Sequence, residues 1–204
     1  MLSDAEVMKE FEAAEAILRG HFILSSGLHS DTYLQCARVL MNPARAEKLC
    51  GALAEKLRHM LQPEKGGQAP LLIDLVVAPA MGGVVVGYEM GRQLGVETIF
   101  CERENGEFTL RRGFAIAPGA RVLLVEDVVT TGKSSLETVR CIESHGGVVV
   151  AEASLIDRSN GAHGLPFPLI SLLALDVKTY ASDKLPSNLS AIPAIKPGSR
   201  FLKK

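Results

Sequence analysis

The sequence predicts an α/β fold with a mostly parallel central sheet flanked by helices. Three observations predict it. Continuous apolar, valine-rich runs at residues 122–125 and 148–150 suit strands buried on both faces. These runs alternate with segments of helical periodicity, the pattern of parallel strands joined by helical crossovers. The composition, 47% hydrophobic and 22% charged with 19 glycines, is that of a globular chain with a sizeable core.

Taken in order, the first helix is expected to begin at Ser3, where Ser3 and Glu6 form a capping box. Val7, Phe11, Ala14 and Leu18 then recur at helical spacing, and Gly20 is expected to end the helix. A second helix has Asn42 as N-cap and Pro43 at its first position, with Leu49, Leu53 and Leu57 on one face. "PEKGGQAP" breaks the pattern. Next come a strand in "LLIDLVVAPA", a helix around "VVVGYEMGRQLG", a strand "ETIFCE" and a charged stretch read as irregular. A strand "RVLLVE", a helix from about Ser134 to His145 and a strand in "GVVVAEASLID" complete the alternation. No internal repeat interrupts it, and the 204 residues are read as a single domain, 1–204.

A net charge of -1 argues against a nucleic-acid binder, which usually carries a basic excess. Cys36, Cys50, Cys101 and Cys141 are scattered with no CxxC pair and read as free thiols in a reducing compartment. The first twenty residues carry charges throughout, unlike a secretory signal, and "LPFPLISLLALDV" is too short and proline-rich to span a bilayer. The expectation is a cytoplasmic protein with no membrane partner.

The chemistry concentrates in "VLLVEDVVTTGKSS", residues 122–135. Its Gly132, Lys133 and Ser134 spell the end of a P-loop, but that motif needs a glycine where Asp127 stands, preceded here by Glu126. Two carboxylates at the mouth of a phosphate cradle would repel a triphosphate unless they meet sugar hydroxyls or a cation. Thr130, Thr131, Gly132, Lys133 and Ser134 supply hydroxyls and free N–H groups at a helix N-terminus, a ready anion site. A strand would send Glu126 and Asp127 to opposite faces unless it has already ended. The stretch therefore asks for a ligand with both a phosphate and a sugar. The bland alternative is that the two acids merely cap the turn. "APAMGG" and "CERENGEF" sit at other strand ends on the same side of the sheet, so all three stretches form one candidate site.

Four apolar residues, two acids, two apolar residues and then Thr-Thr-Gly resemble the 5-phosphoribosyl 1-pyrophosphate (PRPP) signature of the type I phosphoribosyltransferases. Within that family the rest of the chain is similar to the short-type orotate phosphoribosyltransferases, through "GHFILSSGLHSDTYLQ", "APAMGGVVVGYEMGRQLG", "CERENGEFTLRRGF", "SLIDRSNG" and "AIPAIKPGSR". The resemblance implies that family's fold, with a small hood built from about residues 1–40 and 165–204. It implies transfer of the phosphoribosyl group from PRPP to orotate, giving orotidine 5'-monophosphate and pyrophosphate in pyrimidine synthesis. Position by position, Glu126 and Asp127 would hold the ribose hydroxyls. The loop of Thr130, Thr131, Gly132, Lys133 and Ser134 would bind the 5'-phosphate, with Val128 and Val129 also part of the PRPP site. Ala80, Met81 and Gly82 would present backbone to the pyrophosphate, where the family often has an unusual peptide geometry. Thr130 and Arg158 would meet orotate, with Tyr33 either stacking on it or lying in the core. Arg103, with Arg111 and Arg112, would sit on a mobile catalytic loop hinged near Gly106 and shared across a homodimer. Mg2+ would arrive on PRPP, without dedicated protein ligands.

The chain departs from longer members of the family. "ERENGEFTLRRGF" has neither lysine nor histidine, Ser25 replaces an entry-segment lysine, and Gly82 replaces one in the pyrophosphate loop. Arg103 is the expected substitute cation, able to grip pyrophosphate through paired hydrogen bonds. His29 reads equally as a substrate contact or a turn residue, and His59 and His163 as surface residues. The competing readings are a purine phosphoribosyltransferase and a PRPP-sensing regulator. "SSGLHSDTY" and Arg158 argue against the first, and the lack of a basic patch against the second.

Overall fold

The computed structural model describes residues 1–24, 27–62 and 72–197. "PEKGGQAP" and Ser25 lie outside the described residues. In chain order the elements are α1 (Asp4–Ala13), β1 (Ile17–Ile23), β2 (His29–Leu34), α2 (Cys36–Leu40), α3 (Pro43–Leu61), β3 (Leu75–Pro79), α4 (Gly82–Leu94) and β4 (Glu97–Glu104). They continue with β5 (Glu107–Leu110), β6 (Arg121–Val129), α5 (Lys133–Ser144), β7 (Val148–Asp157), β8 (Leu169–Ala174), β9 (Thr179–Tyr180) and α6 (Ser187–Ser190).

The main sheet has the order β5-β4-β3-β6-β7-β8 and is parallel except for β5. From β3 the chain steps through α4 to β4 on one side. From β6 it steps through α5 to β7 on the other. The direction of winding thus reverses between β3 and β6, and in such sheets the crevice beyond the strand ends at that reversal receives ligands. One face carries α3 and α4 over Leu123, Val125, Ala151 and Ala153. The opposite face carries α5, whose Val139 and Ile142 cover Val77, Val122 and Leu124.

The capping box at Ser3 is present, the Ser3 hydroxyl accepting from Glu6 N while the Glu6 carboxylate accepts from Ser3 N. Asn42 caps α3 through Arg45 N at 3.2 Å, with Pro43 following. The expected end of the first helix is corrected. It stops at Ala13, with Glu15 at φ 49°, and Leu18 and Gly20 belong to β1, where Leu18 pairs with Tyr33. The apolar repeat carried one turn too far because Leu18 keeps helical spacing although its neighbours pair as a strand.

The charged stretch is also corrected: it is a β-hairpin, not irregular chain. Glu104 pairs with Glu107 across Asn105 and Gly106, both at positive φ (51° and 93°). Asn-Gly between strands is the usual sequence of a tight hairpin turn whose two central residues need that conformation. Strand β6 likewise runs beyond Glu126, remaining paired with β7 as far as Val129 opposite Asp157.

Both ends of the chain meet in a second, antiparallel sheet of order β1-β2-β9. The later segment adds to it: Ile23 N donates to Ile195 O and Ile195 N to His21 O, each at 2.8 Å. The His21 ring, 3% exposed, lies 2.8 Å from Ile192 O through Nδ1 and 2.6 Å from the His29 ring through Nε2. His29 is therefore engaged by a second histidine. All four cysteines are free and buried.

Leu53 is fully buried in α3 at the centre of the larger core. Leu53→Ala should lower unfolding stability by about 2–5 kcal/mol, the range for emptying a leucine site in a packed core. Denaturant melting at constant slope reads that loss.

Candidate functional site

The loops after β3 and β6 lie side by side because their strands are neighbours. Since β6 is still a strand at Glu126 and Asp127, the two side chains leave on opposite faces. Asp127 continues the Leu123 and Val125 face and reaches the start of α4. A Cβ added to Gly82 would lie 2.9 Å from its Oδ1 and 3.1 Å from its Oδ2. A side chain at position 82 of the cradle at 80–82 would push the Asp127 carboxyl from this place. The Ala80–Met81 peptide at that cradle is cis. Ala80 N donates to Cys101 O at 2.8 Å, which ties the cradle to β4.

Asp127 Oδ1 accepts from Val128 N at 2.9 Å. Burial pushes its carboxyl above the ordinary range, and backbone donors pull it back. Tyr33 of β2 and Arg158, just after β7, complete this side. The Tyr33 hydroxyl is pushed up by burial and by Asp127, with Arg158 pulling it down. Burial lowers the Arg158 guanidinium, whose Nε has no hydrogen-bond partner among the described residues. A buried, unmatched donor of this kind is costly unless a ligand acceptor meets it. Arg158 N donates to Val129 O at 2.8 Å, so the arginine is anchored to the end of β6 itself.

Glu126 continues the Leu124 face toward α5. It is 8% exposed, and burial, then Asp127, then Glu152, push its carboxyl well above the usual range, with Arg103 pulling it down. Arg103 therefore comes within electrostatic reach of Glu126. Its own guanidinium pairs with Glu137 of α5, donates to Gly106 O at 2.6 Å and lies 4.1 Å over the Phe108 ring. Arg112 forms a two-armed pair with Glu102 at 2.7 and 3.1 Å, and Arg111 lies 3.9 Å from Glu104.

Between the two faces runs the loop from Thr130 to Ser134. Thr130, Thr131, Lys133 and Ser134 are exposed, while Gly132 is buried at φ 70° and opens α5. A Cβ on Gly132 would meet His163 O at 2.1 Å, so the loop is backed by main chain from residue 163. His163, expected at the surface, is instead half-buried, whereas His59 is exposed. Sequence reasoning missed Glu152 and Ser135, both buried behind the loop, with the Ser135 hydroxyl donating to Glu152 Oε1 at 2.8 Å. The available signal was a lone glutamate inside the valine-rich run.

This arrangement can take an anion on the exposed loop, a diol beside Asp127 and a planar acceptor-rich ring between Tyr33 and Arg158. Comparison with known proteins bears on the same elements. The phosphoribosyl transferase domain family matches residues 40–165. An orotate phosphoribosyltransferase of Rhizorhabdus wittichii is 56% identical over 199 residues, covering 98% of this chain and 97% of the relative. One of Erythrobacter litoralis is 55% identical over 199 residues, covering 98% and 99%. The crystal structure of orotate phosphoribosyltransferase from Aeropyrum pernix superposes with a TM-score of 0.64 at 26% identity, covering 83% of this chain and 93% of that one. With the family's signature on the β6 loop and its cradle after β3, the chain belongs to the phosphoribosyltransferase family, in its orotate phosphoribosyltransferase branch.

Proposed function

We propose that this chain transfers the phosphoribosyl group of PRPP to orotate, forming orotidine 5'-monophosphate and pyrophosphate. The observation that carries the base assignment is Arg158, whose buried and unmatched Nε lies in the group formed with Tyr33 and Asp127. Orotate offers a carboxylate and ring carbonyls to such a donor, and a planar guanidinium matches a carboxylate best. A purine has no carboxylate to offer.

In this reading the Thr130–Ser134 loop holds the 5'-phosphate through hydroxyls and the free N–H groups of α5. Asp127 accepts from the ribose hydroxyls and Glu126 supports it from the other face. The backbone of Ala80, Met81 and Gly82 faces the pyrophosphate, and the β1–β2–β9 sheet covers the base as a hood. Breaking the bond from ribose C1 to pyrophosphate moves negative charge onto the leaving group. Catalysis then needs groups that meet this charge more strongly in the transition state than in the bound substrate. Arg103 is the nearest cation for that task, and it would exchange its bond to Glu137 for one to pyrophosphate. Among the described residues no group of three or more His, Cys, Asp or Glu is placed to hold a metal ion. The exposed cradle and oxygen-rich loop fit Mg2+ carried in by the oxygens of PRPP, where it would neutralise the pyrophosphate. We assign no side chain of the chain to it.

We further propose a cytosolic homodimer. Met81, Val85 and Tyr88 recur along one side of α4 and are 82%, 50% and 69% exposed, an apolar stripe beside the cradle. In this reading the second copy sits on that stripe and shares its hairpin with this site. Among the described residues no helix is long and apolar enough to cross a membrane.

Purified protein given PRPP, Mg2+ and orotate should consume orotate, read as loss of its ultraviolet absorbance. Turnover of a purine without turnover of orotate would overturn the assignment, and PRPP binding without any turnover would favour a sensor. Asp127→Asn should lower kcat/KM by about a hundredfold, as expected when a group positioning the reacting sugar is lost, with the melting temperature preserved. Near-normal kinetics would remove Asp127 from the ribose site. Gly82→Ala should displace the Asp127 carboxyl and slow turnover by about tenfold or more, without unfolding the chain.

A further inference from the structure

Behind the phosphate loop lies a buried polar pair that the proposed chemistry does not use. Glu152 is fully buried in β7, on the α5 face, with Leu124 of β6 and Leu169 of β8 as register partners. Its Oε1 accepts from the Ser135 hydroxyl at 2.8 Å, and its Oε2 has no partner among the described residues. Ser135, 2% exposed, is the third residue of α5, directly after the Lys133 and Ser134 that open the helix. An apolar pair would fill this helix–sheet contact at less cost, because a buried carboxyl with one unmatched oxygen is expensive.

We propose that Glu152 is a positioning residue for the 5'-phosphate loop, its carboxyl held through Ser135 against the first turn of α5, so that phosphate binding weakens when that carboxyl ionises. This rests on the reading that PRPP places its 5'-phosphate on the Thr130–Ser134 loop. The N-terminus of a helix attracts anions through its free N–H groups and aligned peptide dipoles, and the attraction fades beyond the first turn. A second anion inside that turn competes with the phosphate for the same field. A neutral carboxyl keeps the Ser135 bond without competing.

The surroundings favour the neutral form. Burial raises the Glu152 carboxyl to about 7, the Ser135 bond opposes this, and Asp157 on the same strand adds to it. From β6 the facing titratable group is Glu126, also an acid. From α5 the facing group is the Ser135 hydroxyl, with Lys133 exposed at the helix start, and β8 contributes the apolar Leu169. Below the raised pKa the carboxyl is neutral and the loop keeps its full attraction. Above it, the new negative charge opposes phosphate.

The test measures PRPP binding with Mg2+ by calorimetry from about pH 6 to about pH 9, in the wild type, Glu152→Gln and Ser135→Ala; a charge at a helix terminus predicts about three- to tenfold weaker wild-type binding at the alkaline end. Glu152→Gln keeps an acceptor for Ser135 and cannot ionise, so this component of the pH dependence should vanish. Ser135→Ala removes the bond that favours the charged form, so its midpoint should move to higher pH. Ionisation of PRPP is common to all three proteins. Superimposable profiles would overturn the proposal, as would an unmoved Ser135→Ala midpoint if Glu152→Gln does not fold. Binding with superimposable profiles sinks this inference alone. No PRPP binding at any pH sinks the functional reading with it.

Discussion

The persistence of β6 as a paired strand through Glu126 and Asp127 is the constraint on which the rest of the site depends. Strand geometry alternates side chains between faces, so two adjacent acids serve two different surroundings. Asp127 meets the glycine cradle on the α4 side and acts on Tyr33, which Arg158 also influences. Glu126 meets Glu152 and Arg103 on the α5 side. Had the strand ended at Val125, both acids could have turned to one face, and the two loops would have lost their shared axis.

That division controls the electrostatics. Asp127, Glu126 and Glu152 are all held above ordinary carboxyl values, with burial the leading cause for each. Burial thus opposes the build-up of negative charge on all three. Under the proposed reading a chain of net charge -1, with no lysine on its hairpin, offers its anion site without a dense basic patch. Hydroxyls, helix N–H groups and a few arginines replace bulk positive charge.

The central alternation of strands and helices was legible because apolar runs and capping residues are local signals. Ser3 with Glu6, Asn42 with Pro43, and the valine runs all stand where the sequence placed them. Leu18 was misread because one leucine at helical spacing cannot reveal the strand across from it. The hairpin was not read although Asn105-Gly106 is a hairpin dipeptide, because the charged residues flanking it, Glu102, Arg103, Glu104 and Glu107, give no apolar alternation of the kind that marks a strand. The PRPP signature was legible as a contiguous string. The bond from Ser135 to Glu152 could not be read, since its members lie 17 residues apart in sequence, and Tyr33 and Arg158, 125 residues apart, were brought together only through the family resemblance.

Under the proposed reading the hairpin also bears on how a site with few cations meets the charge that develops in the transition state. Arg103 is already satisfied by Glu137, by Gly106 O and by the Phe108 ring. Under the proposed reading it gains by leaving those partners only where a stronger anion is offered, and pyrophosphate becomes that anion as its bond to ribose breaks. What counts for the rate is how much more Arg103 gives the departing pyrophosphate than bound PRPP, since equal binding of both does not speed the chemical step. In the proposed reading the ion pair with Glu137 is a cost set against the new bond to pyrophosphate. Until then it holds the hairpin's cation within electrostatic reach of Glu126, so in that reading Arg103 acts only if pyrophosphate, gaining charge as its bond to ribose breaks, outcompetes Glu137.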